Sequence, residues 1–433
     1  MSSKKIITKK MAEANEFIEK NQLKEGEAVL NEIIKLEPDN RDAVNLLVMV
    51  ALAQGGFPAA EKVMAAFVKA DPTHHQGHNV LGTFVAQQQR FPDAIKHFAR
   101  AVLLKPDDAK YYLDLGTGLF MCDRHEDAAE VFSMAASHDE TIRHLFNIEG
   151  VSDELQERSK LADITIRKKM TEMHLESVAK FEKETGGQVP RIKRAIWPQT
   201  HHIPFEYGNP QQQPSFFYVP ELRDEPDFDL SNSKWVKDLE AAYPDILAEI
   251  MNELDLEKDG EPYLHDNSVT PANWSLKGSR DWTSLHLFQE ANATPFAERF
   301  PKTVAALRKT PISSVDGQPI EAFFSILRPH THIPPHYGVA NNRLTIHMPI
   351  IIPEKCKIRV GDKQHEWQNG KLYCFDDSFE HEAWNDSDEN RLVLIFETWH
   401  PDLSDDECKA IERVFADRDA WLNARNLPAD LLK

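Results

Sequence analysis

The chain has 433 residues, of which 41% are hydrophobic and 28% charged, and its formal net charge is −20. That length predicts more than one hydrophobic core. The acidic balance argues against a nucleic-acid binder, whose affinity comes from Lys and Arg on phosphate, and against docking on an anionic membrane. No apolar run reaches the roughly 18 residues of a membrane span. The N-terminus, MSSKKIITKK, lacks the apolar core of a signal peptide. A cytoplasmic chain is expected. Cys122, Cys356, Cys374 and Cys408 are scattered without a CxxC pair and read as reduced structural thiols.

After a short tail over 1–6, the first third repeats itself. Pro38, Pro72 and Pro106 lie 34 residues apart, and so do Ala60, Ala94 and Ala128, and Leu47, Leu81 and Leu115. Gly82 and Gly116 follow the repeated leucines, and Phe98 and Phe132 recur where Met64 and Leu30 stand in earlier copies. This pattern resembles the tetratricopeptide repeat: small residues where two helices cross, large apolar ones between them, and Pro at the turn into the next unit. Four units are expected, at 7–40, 41–74, 75–108 and 109–142, forming an all-α solenoid. Gly26 stands at the small-residue position of the first unit, and Glu140 replaces the turn Pro of the fourth. A concave groove for a peptide or protein partner is the functional expectation.

Residues 143–189 read as a charged helical connector, broken at GGQVP, which places a domain boundary between Gly186 and Pro190. Beyond it, a Pro- and aromatic-rich stretch predicts extended segments. SKWVKDLEAAYPDILAEIMNEL predicts an amphipathic helix with Trp235, Leu239, Tyr243 and Ile246 on one face. NWSLKGSRDWTSLHLF predicts one or two strands bearing Trp274 and Trp282, and PFAERFPKTVAALRKTP a helix. Short strands then follow closely: EAFFSIL, RLTIHMPIII, KCKIRVG, KLYCFDD and RLVLIFETWH. Such spacing predicts an all-β barrel or sandwich. Ser404 and Glu407 predict a capping box on a last helix.

Candidate chemistry concentrates between Phe323 and Pro401. His336 and His381 stand at turn edges 45 residues apart, and Arg391 opens a strand ten residues after the second. Mononuclear iron oxygenases hold the metal with two histidines and a carboxylate, leaving positions open. Here the carboxylate position after His336 is Gly338. An arginine such as Arg391 suits a bidentate pair with a carboxylate. Strand alternation puts Arg343, Thr345 and His347 on one face, which is costly in a plain core unless a ligand is present. Ser325, on the preceding strand, adds a hydroxyl. His330 and His332 read as pocket wall, Asp376 and Asp377 as turn or supporting carboxylates, and His400 as structural.

The segments PHYG, NNRLTIH, FDDSFEHEAWN and WHP, in this order, resemble the aspartyl/asparaginyl β-hydroxylase family of Fe(II)/2-oxoglutarate dioxygenases. The likeness covers about 190–405. It implies a double-stranded β-helix (jelly-roll, cupin-like) domain with flanking helices over 190–433. It implies that His336 and His381 ligate Fe(II), with water in place of a third ligand. It also implies that Ser325, His347 and Arg391 hold 2-oxoglutarate, with Trp282 lining that pocket. Thr345 departs from the family pattern, in which an arginine engages the cosubstrate, and Arg343 is expected to reach instead. Arg280 is a candidate for a substrate carboxylate.

The resemblance implies an O2-dependent hydroxylation at the β-carbon of Asp or Asn in a peptide or protein. Hydroxylation of a free amino acid or a lipid acyl chain, an iron halogenase, and a non-catalytic repeat-based adaptor are the alternatives.

Overall fold

In the computed structural model, which describes residues 3–265, 275–315 and 317–432, the chain divides into two units, Met1–Glu172 with Asp419–Lys433, and Met173–Arg418. Trp274 lies outside the described residues.

The first unit is the repeat array. Its helix pairs are Ser3–Glu19 with Leu23–Leu36, the two halves of Arg41–Ala70, His75–Ala86 with Phe91–Leu104, and Ala109–Phe120 with His125–His138. The first helix thus begins within the expected tail. Arg41–Ala70 is, by length and composition, apolar enough to cross a membrane. Gly56, at φ 63° and ψ −156°, nevertheless breaks it into the two helices of a repeat.

The periodic small residues work sterically. A Cβ on Gly82 would lie 2.7 Å from the Phe98 ring, and one on Gly116 would lie 2.5 Å from that of Phe132. Ala60, Ala94 and Ala128 are fully buried at the equivalent crossings. Where Glu140 replaces the turn Pro, a 3-10 turn over Glu140–Arg143 follows instead of a fifth unit. The chain's last residues belong to this unit. The Asp430 carboxylate accepts two bonds from Arg124, at 2.8 and 2.9 Å, and Arg425 donates to Ser133 at 2.6 Å.

The second unit is built on antiparallel strands. In chain order the early ones are β1 (Glu261–Pro262), β2 (Trp282–Gln289), β3 (Asn292–Ala293), β4 (Ser314–Val315), β5 (Gln318–Pro319) and β6 (Ala322–Leu327). Then come β7 (Thr331–His336), β8 (Arg343–Ile351), β9 (Cys356–Val360), β10 (Lys363–His365), β11 (Tyr373–Phe375), β12 (His381–Asn385) and β13 (Arg391–Trp399). A large sheet has the order β1-β2-β6-β13-β8-β11, with β3 also on β2. A smaller one has the order β10-β9-β12-β7, and β4 pairs with β5. From β6 onward the chain alternates between the two sheets, except that β9 and β10 follow each other within the smaller one.

Alternation divides the large sheet into two faces. One face is apolar: Leu344, Ile346 and Met348 of β8 join Leu392, Leu394 and Phe396 of β13 and Phe324 and Ile326 of β6 in a single core. Leu239, Ile246, Ile250 and Leu307 from flanking helices cover it. Burying each such side chain contributes about 1.5–3 kcal/mol. The expected single helix over 233–254 is two, Lys234–Ala241 and Tyr243–Glu253, because Pro244 starts the second. Its predicted apolar face is kept, with Leu239 and Ile246 buried and Trp235 and Tyr243 packed beside them. The capping box forms: Ser404 N–H donates to Glu407 Oε2 at 2.9 Å, and Glu407 N–H to Ser404 Oγ at 3.3 Å. The other face of the large sheet carries the polar residues.

Candidate active site

β7 ends on His336 and β12 begins on His381, and the register sets them opposite each other. Their ring centroids are 4.0 Å apart. Both rings are tethered alike, to a carbonyl two residues back: His336 Nδ1 to Pro334 O at 2.8 Å, and His381 Nδ1 to Phe379 O at 3.0 Å. A donated Nδ1–H leaves Nε2 with the lone pair, the arrangement in which imidazole binds a metal. Burial lowers His336 to about 3, with the neighbouring His381 adding to it, and lowers His381 to about 4. Both rings are therefore neutral at pH 7.

Two residues after His336 stands Gly338, and the space beside it is taken by Asp377. A Cβ on Gly338 would lie 2.2 Å from Asp377 Oδ1. Gly338 N–H donates to the Asp377 carbonyl at 2.6 Å, so the two turns are clamped together. Burial raises the Asp377 carboxyl to about 6, against a hydrogen bond from Thr345 and the charge of Arg343. Among the described residues no group of three or more His, Cys, Asp and Glu side chains is disposed as a metal cage. The donor set at this place is the pair of histidines.

Beside the pair lies a buried cation. Arg391 is 1% exposed. Its Nη1 donates to Ser325 Oγ at 3.3 Å, and its Nε is buried without a partner. The guanidinium carbon lies over Trp367, 4.5 Å from the ring centroid. Burial lowers its pKa to about 10. Ser325 Oγ also accepts from Trp282 Nε1 at 3.2 Å. With two N–H groups pointing at its oxygen, Ser325 has its own proton left to donate. His347 stands near the same Trp367, with ring centroids 5.7 Å apart, and its buried Nδ1 has no partner. Burial and then the Arg391 charge hold His347 well below the usual imidazole range. Arg391 Nε and His347 Nδ1 are thus two buried polar atoms, on residues that flank Trp367, with hydrogen bonds still to make.

Trp282 joins the two clusters, with its ring 6.3 Å from that of His336. Arg343 does not join them. It stands four residues along β8 from His347 and is engaged by Glu397 at 2.5 Å. Arg280 is spent on backbone, donating to Gly260 O at 3.1 Å and Lys258 O at 3.0 Å. His330 and His332 pair with Asp388 and Glu382, at 2.9 and 2.8 Å, on exposed positions and not in a pocket wall. Asp376 is a turn anchor, bonded to Ser378 and to Gln212. His400 accepts from Asp402 N–H and packs on Phe228. Trp367, the cover over Arg391, carries no role in the sequence reading. The only signal for it is a tryptophan three residues before Gly370, in the turn between two strands.

Residues 240–401 match the aspartyl/asparaginyl beta-hydroxylase family, and residues 11–75 and 81–141 match the tetratricopeptide repeat. Aspartyl/asparaginyl beta-hydroxylase of Mus musculus is 32% identical over 191 residues, 43% of this chain and 26% of that protein. The ornithine lipid ester-linked acyl 2-hydroxylase of Rhizobium tropici is 33% identical over 184 residues, 42% of this chain and 62% of that protein. Human aspartate beta-hydroxylase domain-containing protein 2 is 30% identical over 215 residues, 47% of this chain and 55% of that protein. The chain thus spans between a quarter and three fifths of the length of these relatives. A crystal structure of MamA protein aligns with 42% of the chain at 17% identity and a TM-score of 0.30.

Proposed function

We propose that this chain, which sets an aspartyl/asparaginyl beta-hydroxylase domain behind tetratricopeptide repeats, is an Fe(II)- and 2-oxoglutarate-dependent dioxygenase. Its substrate is an Asp or Asn residue of a peptide or protein, hydroxylated at the β-carbon. The observation that carries the reading is Arg391, a buried guanidinium whose Nε has no partner and whose Nη1 rests on a hydroxyl. Such a group is costly until an anion reaches it. A dicarboxylate supplies that anion at one end and a metal-chelating end at the other. The alternation of strands between two sheets supports a double-stranded β-helix as the fold of the domain. The repeats support a polypeptide substrate or partner, and a cytoplasmic setting is part of the same reading.

In this reading His336 and His381 offer Nε2 lone pairs to the metal. Their carbonyl tethers fix ring orientation and tautomer. Gly338, two residues after His336, brings no side chain to the third position, which water takes in this reading. Arg391, Ser325 and His347 hold the distal carboxylate, and Trp282 and Trp367 exclude water from it. Bound Fe(II) with 2-oxoglutarate and O2 supplies the oxidising power: one oxygen atom goes to succinate, with release of CO2, and the other to the substrate as hydroxyl.

The Rhizobium relative favours a second reading, hydroxylation of an acyl chain, which product analysis on lipid and peptide substrates separates. The first test is anaerobic titration of metal-free protein with Fe(II) and 2-oxoglutarate, followed by the visible charge-transfer band. A band lost in His381→Ala and weakened in Arg391→Ala supports the site. No band from folded wild type rejects the dioxygenase and favours an adaptor.

A further inference from the structure

The polar face of the large sheet extends beyond His347 and Arg391. It carries Glu397 on β13, Arg343 and Thr345 on β8, Phe323 on β6 and His286 on β2. Glu321 stands just before β6 and Asp377 just after β11. Two pairs form: Arg343 with Glu397 at 2.5 Å, and His286 with Glu321 at 3.2 Å. Asp377 has the Thr345 hydroxyl for its hydrogen bond. Three carboxyl groups thus face one guanidinium and one imidazole. Burial, and the charges of Asp377 and Glu321, push Glu397 up to about 7 in spite of Arg343.

Aromatic faces line the same place. Tyr263 stacks on Trp282 at 4.1 Å and 22°, and meets Phe323 at 5.7 Å. Phe323 in turn lies 4.9 Å from His286. Burial, and then the charges of Glu321, Asp377 and Glu397, raise the Tyr263 hydroxyl. Tyr263 is still 36% exposed, so the cluster opens to solvent. At its inner end are His347 Nδ1 and Arg391 Nε, on residues 5% and 1% exposed and both without partners. A face that buries two unpartnered polar atoms at one end and leaves Tyr263 and the carboxyl groups of Glu321 and Glu397 partly exposed at the other has the character of a ligand site. Ring faces and carboxylates both attract cations.

We propose that this part of the face holds a basic side chain, Lys or Arg, of the polypeptide substrate, with Tyr263 and Phe323 on one side and Glu321 and Glu397 on the other. The inference rests on the hydroxylase reading and narrows its substrate: the target residue travels with a basic neighbour. An acidic neighbour there meets like charge.

Fluorescein-labelled peptides with one central Asn, flanked by Lys, Gln or Glu, are titrated by anisotropy against the full chain. Wild type, Glu321→Lys and Glu397→Gln are compared. The Lys peptide is expected to bind at least about tenfold tighter than the Glu peptide. Glu321→Lys is expected to abolish or reverse that order, and Glu397→Gln to reduce it. Equal or tighter binding of the Glu peptide by wild type overturns the proposal. So does an order unchanged in both variants, since the basic residue is then read elsewhere on this acidic chain. Vesicles of phosphatidylcholine with an aminoacyl lipid, if bound while the peptides show no order, overturn the polypeptide assignment. Anisotropy needs no turnover, so this result stands apart from the Fe(II) titration, which tests the underlying reading.

Discussion

In the repeats, Gly82 and Gly116 leave space that Phe98 and Phe132 fill; in the strand domain, Gly338 leaves space that the Asp377 carboxylate fills. The same absence of a side chain does different work. In the first region it lets apolar rings close a crossing, and the pattern returns every 34 residues. In the second it admits a carboxyl group beside the turn that follows His336. Arg391 makes the same contrast with Leu392 and Leu394 on its own strand: it is as buried as they are, yet it keeps an unpartnered donor. Periodic features of this chain build the scaffold. Unrepeated, costly features mark where a ligand belongs.

The contrast breaks or sharpens most visibly at Arg391. Arg391→Met is expected to weaken 2-oxoglutarate binding by roughly thirtyfold or more, about 2 kcal/mol, since one partner of a buried charge pair is lost. The same change is expected to raise the melting temperature of ligand-free protein, because a buried unpaired charge is removed. A melting temperature that falls would mean that Arg391 serves the scaffold after all.

Gly338→Ala is expected to destabilise the strand domain by about 1–3 kcal/mol through the overlap with Asp377. Adding Asp377→Ala is expected to recover most of that loss. A double-mutant cycle by urea denaturation measures the coupling, and additive effects would show that the two turns do not share space.

Gly116→Ala is expected to cost a similar or smaller amount, about 1–2 kcal/mol, in the repeats alone. Chemical denaturation followed by helix signal reads it. Peptide-free 2-oxoglutarate affinity is expected to stay unchanged, and a shift there would deny the division of labour.

The smallest effect is one of pH. Because His336 and His381 are lowered to about 3 and about 4, protons compete with a metal only as pH falls through those values. Mn(II) affinity, read by electron paramagnetic resonance, is expected to stay level between about pH 7.5 and 5.5. An ordinary imidazole near pH 6.5 would lose about tenfold over that range.

Much of the fold was legible because it is written locally. Pro38, Pro72 and Pro106 announce the repeats, and alternation in RLTIHMPII announces a strand with one polar face. His336, His381 and Arg391 drew notice by order and spacing. What stayed hidden depends on register and on distant segments. Nothing near Arg391 in the chain says that Trp367 covers it, or that Tyr263 stacks on Trp282. Arg343 looked available on its strand, but Glu397, 54 residues on, engages it. Pro244 starts a second helix although the apolar face runs across the break, so periodicity alone does not show the split.

The clamp between Gly338 and Asp377 also couples the two positions in any change of sequence. Placing an acid at position 338 puts two carboxyl groups in one volume. Neither substitution order is neutral. Gly338→Asp first meets steric and charge repulsion, and Asp377→Ala first empties a buried site beside the histidines. A carboxylate at 338 is therefore reached without loss of stability only if both positions change together.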